Sequence, residues 1–196
     1  VGCALSHIKA YRKALSDGVP YALVLEDDVL VDASLMPLAQ AVASNLRGSE
    51  VVLLNFHTVA PCKLSTRDTV ALPGSRIIAH PLDVHQLTST GAYLISRGAC
   101  DRMKDMTPVR CRADEWGYFQ DHGALDRVRC VTPLAVRKHP HLRSTIDYHD
   151  LRSLHAKLQH LAHSRIPLLY QLLALRRVMI QRRQSRLVFL DQDPPQ

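Results

Sequence analysis

Apolar residues recur at helical spacing from the start of the chain: Leu5, Ile8, Tyr11, Ala14 and Leu15 predict a first helix. Gly18 stops it and Pro20 forbids its continuation. Tyr21-Ala-Leu-Val-Leu25 follows as an unbroken apolar run, which predicts a central strand buried on both faces. That run ends abruptly in Glu26-Asp27-Asp28. The spacing over residues 35–46 predicts a helix with Asp32 or Ser34 at its N-cap, and residues 51–56 predict a second strand. Residues 70–72 and 77–79 flank Pro73-Gly74 as a hairpin. Residues 91–95 read as a strand, after which Ser96 caps a helix running to about Met106. Pro108 and residues 110–114 form a loop, and residues 115–119 one helical turn or more. Residues 131–136 read as a strand that Pro133 consigns to an edge. Helices alternating with buried strands give the fold class: α/β, a mixed sheet flanked by helices.

The last quarter has another character. Residues 151–163 and 168–190 read as helices, the second opened by Pro167. Leu168, Leu172, Leu175 and Met179 share one face, and Arg176, Arg177, Arg182, Arg183 and Arg186 gather toward the end. Charge makes the division sharper. The formal net charge is +7, yet residues 1–150 hold 17 basic and 16 acidic side chains, while residues 151–190 hold 8 basic and no acidic ones. The chain therefore divides into a nearly neutral body, 1–150, and a basic helical tail, 151–196. The tail is either a packed terminal helix with a solvated arginine face or a contact for an anionic membrane surface through residues 151–190. Nucleic acid is not an expected partner, because few aromatics interleave with the tail and the body is neutral.

Composition removes several classes. A chain of 196 residues with 46% apolar and 22% charged residues is an ordinary single globular domain. No apolar run reaches the ~20 residues that span a bilayer. The five cysteines, Cys3, Cys62, Cys100, Cys111 and Cys130, are odd in number and form no CxxC pair. Reduced thiols in a cytoplasmic protein, peripheral at most on the inner face of the membrane, are the expectation. Nothing at the start resembles a signal peptide, and an upstream segment is expected to precede Val1.

Glu26-Asp27-Asp28 carries the chemistry. Three adjacent carboxylates repel one another, and they sit at the carboxyl end of a strand, where open α/β sheets bind ligands. Oxygen donors alone suit Mg²⁺ or Mn²⁺, which bridge carboxylates to substrate phosphates. The competing reading is a solvated acidic turn.

Gly2-Cys3-Ala4-Leu5-Ser6-His7, then Tyr21-Ala-Leu-Val-Leu-Glu-Asp-Asp-Val29, then Thr88-Ser-Thr-Gly-Ala-Tyr-Leu-Ile-Ser96, resemble glycosyltransferase family 25 over roughly residues 2–146. That family includes bacterial lipooligosaccharide galactosyltransferases. The resemblance implies a GT-A-like fold lacking its opening strand in this chain, a UDP-sugar donor, typically UDP-galactose, and an inverting transfer to a saccharide or glycolipid acceptor. It also implies that Glu26-Asp27-Asp28 stands in for the DxD motif. Asp28 then binds the Mn²⁺ or Mg²⁺, Glu26 and Asp27 share donor and metal contacts, and His7 lies near the donor.

Inversion needs a general base on the acceptor side. Asp114 in Ala113-Asp-Glu-Trp116 is the first choice, Glu115 the second and Asp121 a weaker rival, with Trp116 offering an aromatic face to a sugar. The competing reading makes Asp114 a helix cap and Trp116 core. His139 is a candidate to complete the metal site, whereas His141 reads as part of an exposed basic loop. Ser6 and His7 are no nucleophile pair, since adjacent helical residues point apart. Gly91 and Tyr93 read as packing residues. The alternatives to an active transferase are a catalytically inactive nucleotide-sugar-binding remnant and a basic peripheral membrane module.

Overall fold

The computed structural model describes residues 2–58, 61–106, 110–139, 179 and 186–194. Helix α1 (Gly2–Ser16) buries His7, Ile8, Tyr11 and Ala14, and Gly18 ends it with a φ of +71°. Leu5, expected on that face, is exposed, and His7 takes the inward position instead. Strands β1 (Tyr21–Leu25) and β2 (Val29–Leu30) are separated by the acidic turn, and α2 (Leu35–Ala43) follows. Asp32 accepts from the Ser34 backbone N–H at 2.7 Å, while Ser34 makes no side-chain cap bond. Then come β3 (Glu50–Thr58), β4 (Cys62–Ser65), β5 (Val70–Leu72), β6 (Arg76–Ala79) and β7 (Leu87–Ser96). Ser96 caps α3 (Arg97–Met103) by accepting from Ala99 N–H at 3.2 Å, as the sequence predicts. Helix α4 (Trp116–Asp121), β8 (Arg127–Thr132), β9 (Arg137–Lys138) and β10 (Leu187–Leu190) complete the described elements.

Six strands form one mixed sheet in the order β1-β7-β3-β8-β6-β5, in which only the β3–β8 pair is parallel. Along β3, Val51 and Leu53 face a core shared with α1, α3 and α4, while Val52 and Leu54 face the core under α2. Both faces of the central strands are thereby covered, so β3 is continuously apolar from 51 to 54. The predicted hairpin around Pro73-Gly74 is β5–β6, with Gly74 at φ +73°.

Three expectations need correction. β1 is an edge strand of this sheet and not a central one: its only ladder among the described residues is with β7, its residues are half-buried, and Leu25 is exposed. β8 begins at Arg127, lies inside the sheet between β3 and β6, and stops before Pro133, so that proline does not place it at an edge. Residues 187–190, expected to close a helix, form β10, which pairs in parallel with β4 and is tied down by Arg67 to Asp191 and Asp193, both at 2.8 Å. A four-residue apolar run fits either period, and a free strand neighbour decides it. The rest of the expected tail, apart from Met179, Arg186 and residues 191–194, lies outside the described residues.

One buried ion pair ties the parallel strands. Glu50 is fully buried and binds Arg129, which also donates to Asn45 O at 2.7 Å, while Glu50 accepts from Arg47 N–H at 2.8 Å. Removing one partner strands the other charge. Arg129→Ala is expected to lower unfolding free energy by about 3–5 kcal/mol. The double variant Glu50→Leu/Arg129→Leu is expected to lose less, both read by urea unfolding.

Candidate active site

The ladder between β1 and β7 sets the site. Leu25 lies opposite Ala92, and the next residue, Glu26, donates its N–H to Gly91 O at 2.9 Å. The Glu26 carboxylate consequently leaves the strand end beside Thr90, whose hydroxyl donates to Oε1. His7 Nε2 lies 3.8 Å from Oε1, and Lys138 Nζ 3.7 Å from Oε2. Partial burial opposes ionisation here, but the His7 imidazole above all, then the Thr90 hydroxyl and the Lys138 ammonium, hold the Glu26 carboxyl down to about 2. Glu26 is an anion at every physiological pH.

The chain then turns so that Asp27 is exposed and Asp28 half-buried. β2 pairs with β9, Val29 opposite Lys138, and His139 N–H donates to Asp28 O at 2.7 Å. This pairing brings Lys138 Nζ to 3.1 Å from Asp28 Oδ2. The other oxygen, Oδ1, is buried and has no hydrogen-bond partner. Burial alone would pull the Lys138 ammonium down, but its bond and charge contacts with Asp28 and then Glu26 outweigh that and raise it above its ordinary value.

His7 is anchored from behind. Its Nδ1 is 2.7 Å from the Tyr93 hydroxyl, which is 2.8 Å from the Tyr11 hydroxyl, all three residues being buried. With Nε2–H toward Glu26, the chain of donors runs Tyr11 to Tyr93 to His7 Nδ1. Ser6 instead donates to Gly2 O at 3.2 Å on the exposed face, so it does not act with His7.

On the opposite side, β3 shifts register against β7 between Asn55 and His57. Such a bulge re-aims a side chain. Ser89, at φ +97°, braces this corner: it donates to Asn55 Oδ1 at 3.0 Å, accepts from Gly91 N–H at 3.1 Å and offers its carbonyl to Trp116 Nε1 at 3.0 Å. A Cβ on Gly91 would stand 2.8 Å from Asn55 Oδ1, which confirms close approach as that glycine's role. His57 reaches solvent, yet the surrounding chain and then the Lys138 ammonium push its pKa down, against the pull of Asp114 and Asp28. The charge of Asp114 is felt at both His57 and Cys3. Arg112 Nε binds Glu115 at 2.9 Å and lies 4.0 Å from Asp114. Neither acid caps α4 with its side chain: Glu115 occupies the cap position without a side-chain bond. Trp116 is wholly buried, edge-on to Tyr93 at 5.2 Å, so it fills the core and cannot stack on a sugar.

Oxygen donors and an unpaired buried carboxylate oxygen fit a hard divalent cation at Asp28, with Glu26 close by. The structure thus brings His7 to Glu26, and Glu26 and Asp28 to the shared Lys138, with the His139 N–H on Asp28 O; among the described residues it shows no hydrogen bond or ion pair of Asp114 with His7, Glu26, Asp28 or Lys138. The family model for glycosyltransferase family 25 (LPS biosynthesis protein) matches residues 1–115.

The chain belongs to glycosyltransferase family 25. It is a transferase that requires a sugar donor and a saccharide acceptor. No curated protein matches it at a significant level. In this glycosyltransferase the matched segment contains His7, Glu26, Asp27, Asp28, Thr90, Asp114 and Glu115, while Lys138 and His139 lie beyond it. All five cysteines are free, and among the described residues no helix is long and apolar enough to cross a membrane. Sequence reasoning missed Thr90, His57 and Lys138. Thr90 lies inside the Thr88–Ser96 block and Lys138 beside the candidate His139, but their partners became visible only through the β1–β7 and β2–β9 pairings.

Glu26 has its pKa depressed from an ordinary 4.5 to about 2. The stability it contributes is therefore present above about pH 4.5 and is lost as pH falls toward 2. Thr90→Val removes one donor. The Glu26 carboxyl carbon, followed by NMR against pH, is expected to titrate higher than in the parent but below 4.5, because His7 and Lys138 remain.

Proposed function

We propose that this chain transfers a hexose, galactose on its family resemblance, from a UDP-sugar to the saccharide of a lipopolysaccharide or lipooligosaccharide acceptor with inversion, on a GT-A-like scaffold. The observation that carries the reading is the assembly of Glu26, Asp28 and Lys138 at the carboxyl end of β1, with one Asp28 oxygen buried and unpaired. Two acids and one ammonium leave net negative charge, which favours a further cation.

Asp28 would hold Mn²⁺ or Mg²⁺, with Asp27, Glu26 and His139 as the neighbouring groups. An ion bound there would supply Lewis-acid neutralisation of the donor's diphosphate charge. Lys138 supplies a second positive charge to the same phosphates once it leaves Asp28. Glu26, a permanent anion braced by Thr90 and His7, orients the donor. Asp114 accepts the proton of the acceptor hydroxyl as that oxygen attacks the anomeric carbon, and UDP leaves from the opposite face. Asp114 is preferred to Glu115 because Arg112 binds Glu115 more closely. The basic segment 151–190 would hold the enzyme against anionic lipid on the inner face of the membrane, where a lipid-linked acceptor is presented.

The test is UDP release from UDP-galactose with Mn²⁺ and acceptor, alongside UDP binding by calorimetry. Asp28→Ala is expected to abolish Mn²⁺-dependent UDP binding. Asp114→Asn is expected to retain binding and to lower turnover by about 10²–10⁴-fold; undiminished turnover removes Asp114 from its role. Binding without transfer by the parent chain would identify a donor-binding remnant. Lys138→Met is expected to tighten Mn²⁺ binding, because no ammonium then competes for Asp28, and to slow transfer.

A further inference from the structure

We propose that Cys3, His7 and Glu26 form a binding site for a soft divalent cation of the Zn²⁺ class, distinct from the oxygen site at Asp28 although Glu26 neighbours both. Cys3 and His7 stand four residues apart on α1, so both side chains project from one face of the helix. The end of β1 brings Glu26 to meet them. One ligand atom from each, Sγ, an imidazole nitrogen and a carboxylate oxygen, lies within 4.8 Å of the others. A thiolate, an imidazole and a carboxylate, with a fourth position open to solvent at the exposed Cys3, make a tetrahedral zinc-type set.

The support behind His7 is what such a site needs. A metal-bound imidazole is held through its other nitrogen, and His7 Nδ1 is held by the buried Tyr93 hydroxyl at 2.7 Å. Nε2 is left facing Glu26. On binding, the Cys3 thiol releases its proton to solvent. The single imidazole proton then resides on Nδ1 and is donated to the Tyr93 oxygen, while the Tyr93 hydroxyl turns to Tyr11, a contact in which either oxygen can donate. The cation site stands independently of the donor assignment. Given that assignment, occupancy withdraws Glu26 from the sugar nucleotide, so Zn²⁺ would inhibit transfer.

Co²⁺ is the probe, titrated into the reduced full chain. One Co²⁺ per chain is expected to give thiolate-to-metal charge-transfer absorption in the near ultraviolet with intense tetrahedral visible bands, both removed by added Zn²⁺. Cys3→Ser is expected to lose the charge-transfer band and Cys111→Ser to keep it. Tyr93→Phe, which frees the imidazole from its anchor, is expected to weaken Co²⁺ binding by about 10–100-fold. Absence of the band in the parent chain, or its survival in Cys3→Ser, overturns the site. Mn²⁺-dependent UDP binding, measured on the same samples, reports Asp28 and Lys138 separately, so failure of the cobalt site leaves the donor reading standing.

Discussion

The bond from Glu26 N–H to Gly91 O, 2.9 Å long, continues the ladder joining β1 to β7, and the site depends on the register it completes. β7 carries Thr90 to Glu26, Tyr93 to His7, and Ser96 to both the Glu50 N–H and the first turn of α3. Side chains alternate between faces along a strand, so a slip of one residue would send Thr90 and Tyr93 to the wrong side and leave Glu26 without its donor. Ser89 and Gly91 protect that register at the bulge, where Asn55 and Trp116 lock the backbone of β7 in place.

On that frame the electrostatics follow from proximity. Unit charges ~4 Å apart interact by roughly 4 kcal/mol at an effective dielectric near 20. Such a repulsion among three neighbouring acids is large enough to need an answer. Asp27 answers by solvation, while Glu26 and Asp28 share Lys138. These side chains are partly exposed, so solvent screens the pairs and each stabilises less than that figure. One ammonium for two fixed carboxylates still leaves the cleft negative. That surplus is what the proposed cation would neutralise, with Lys138 as its exchangeable competitor.

Much of this could be read from residues alone. The α1 pattern, the β3 run, the Pro73-Gly74 hairpin and the Ser96 cap are local signals, and local chemistry decides them. Glu26-Asp27-Asp28 marked the strand end, and the three sequence blocks pointed to the family that the match over residues 1–115 shows. What escaped is set by distant partners. Tyr21–Leu25 reads as a core strand because its residues are apolar, but burial depends on what lies beside it, and β7 is its one ladder among the described residues. Trp116 beside two acids suggested a sugar platform, whereas its indole N–H finds Ser89 O in the interior. Lys138 meets Asp28 across 110 residues, a separation over which no spacing rule operates.

A crystal structure with UDP and Mn²⁺ bound tests the central claim most directly. The account predicts the ion on Asp28, the diphosphate against it, and Lys138 Nζ moved from the carboxylate to a phosphate oxygen. A diphosphate bound elsewhere, with Lys138 still paired to Asp28 and no ion beside it, would contradict the account.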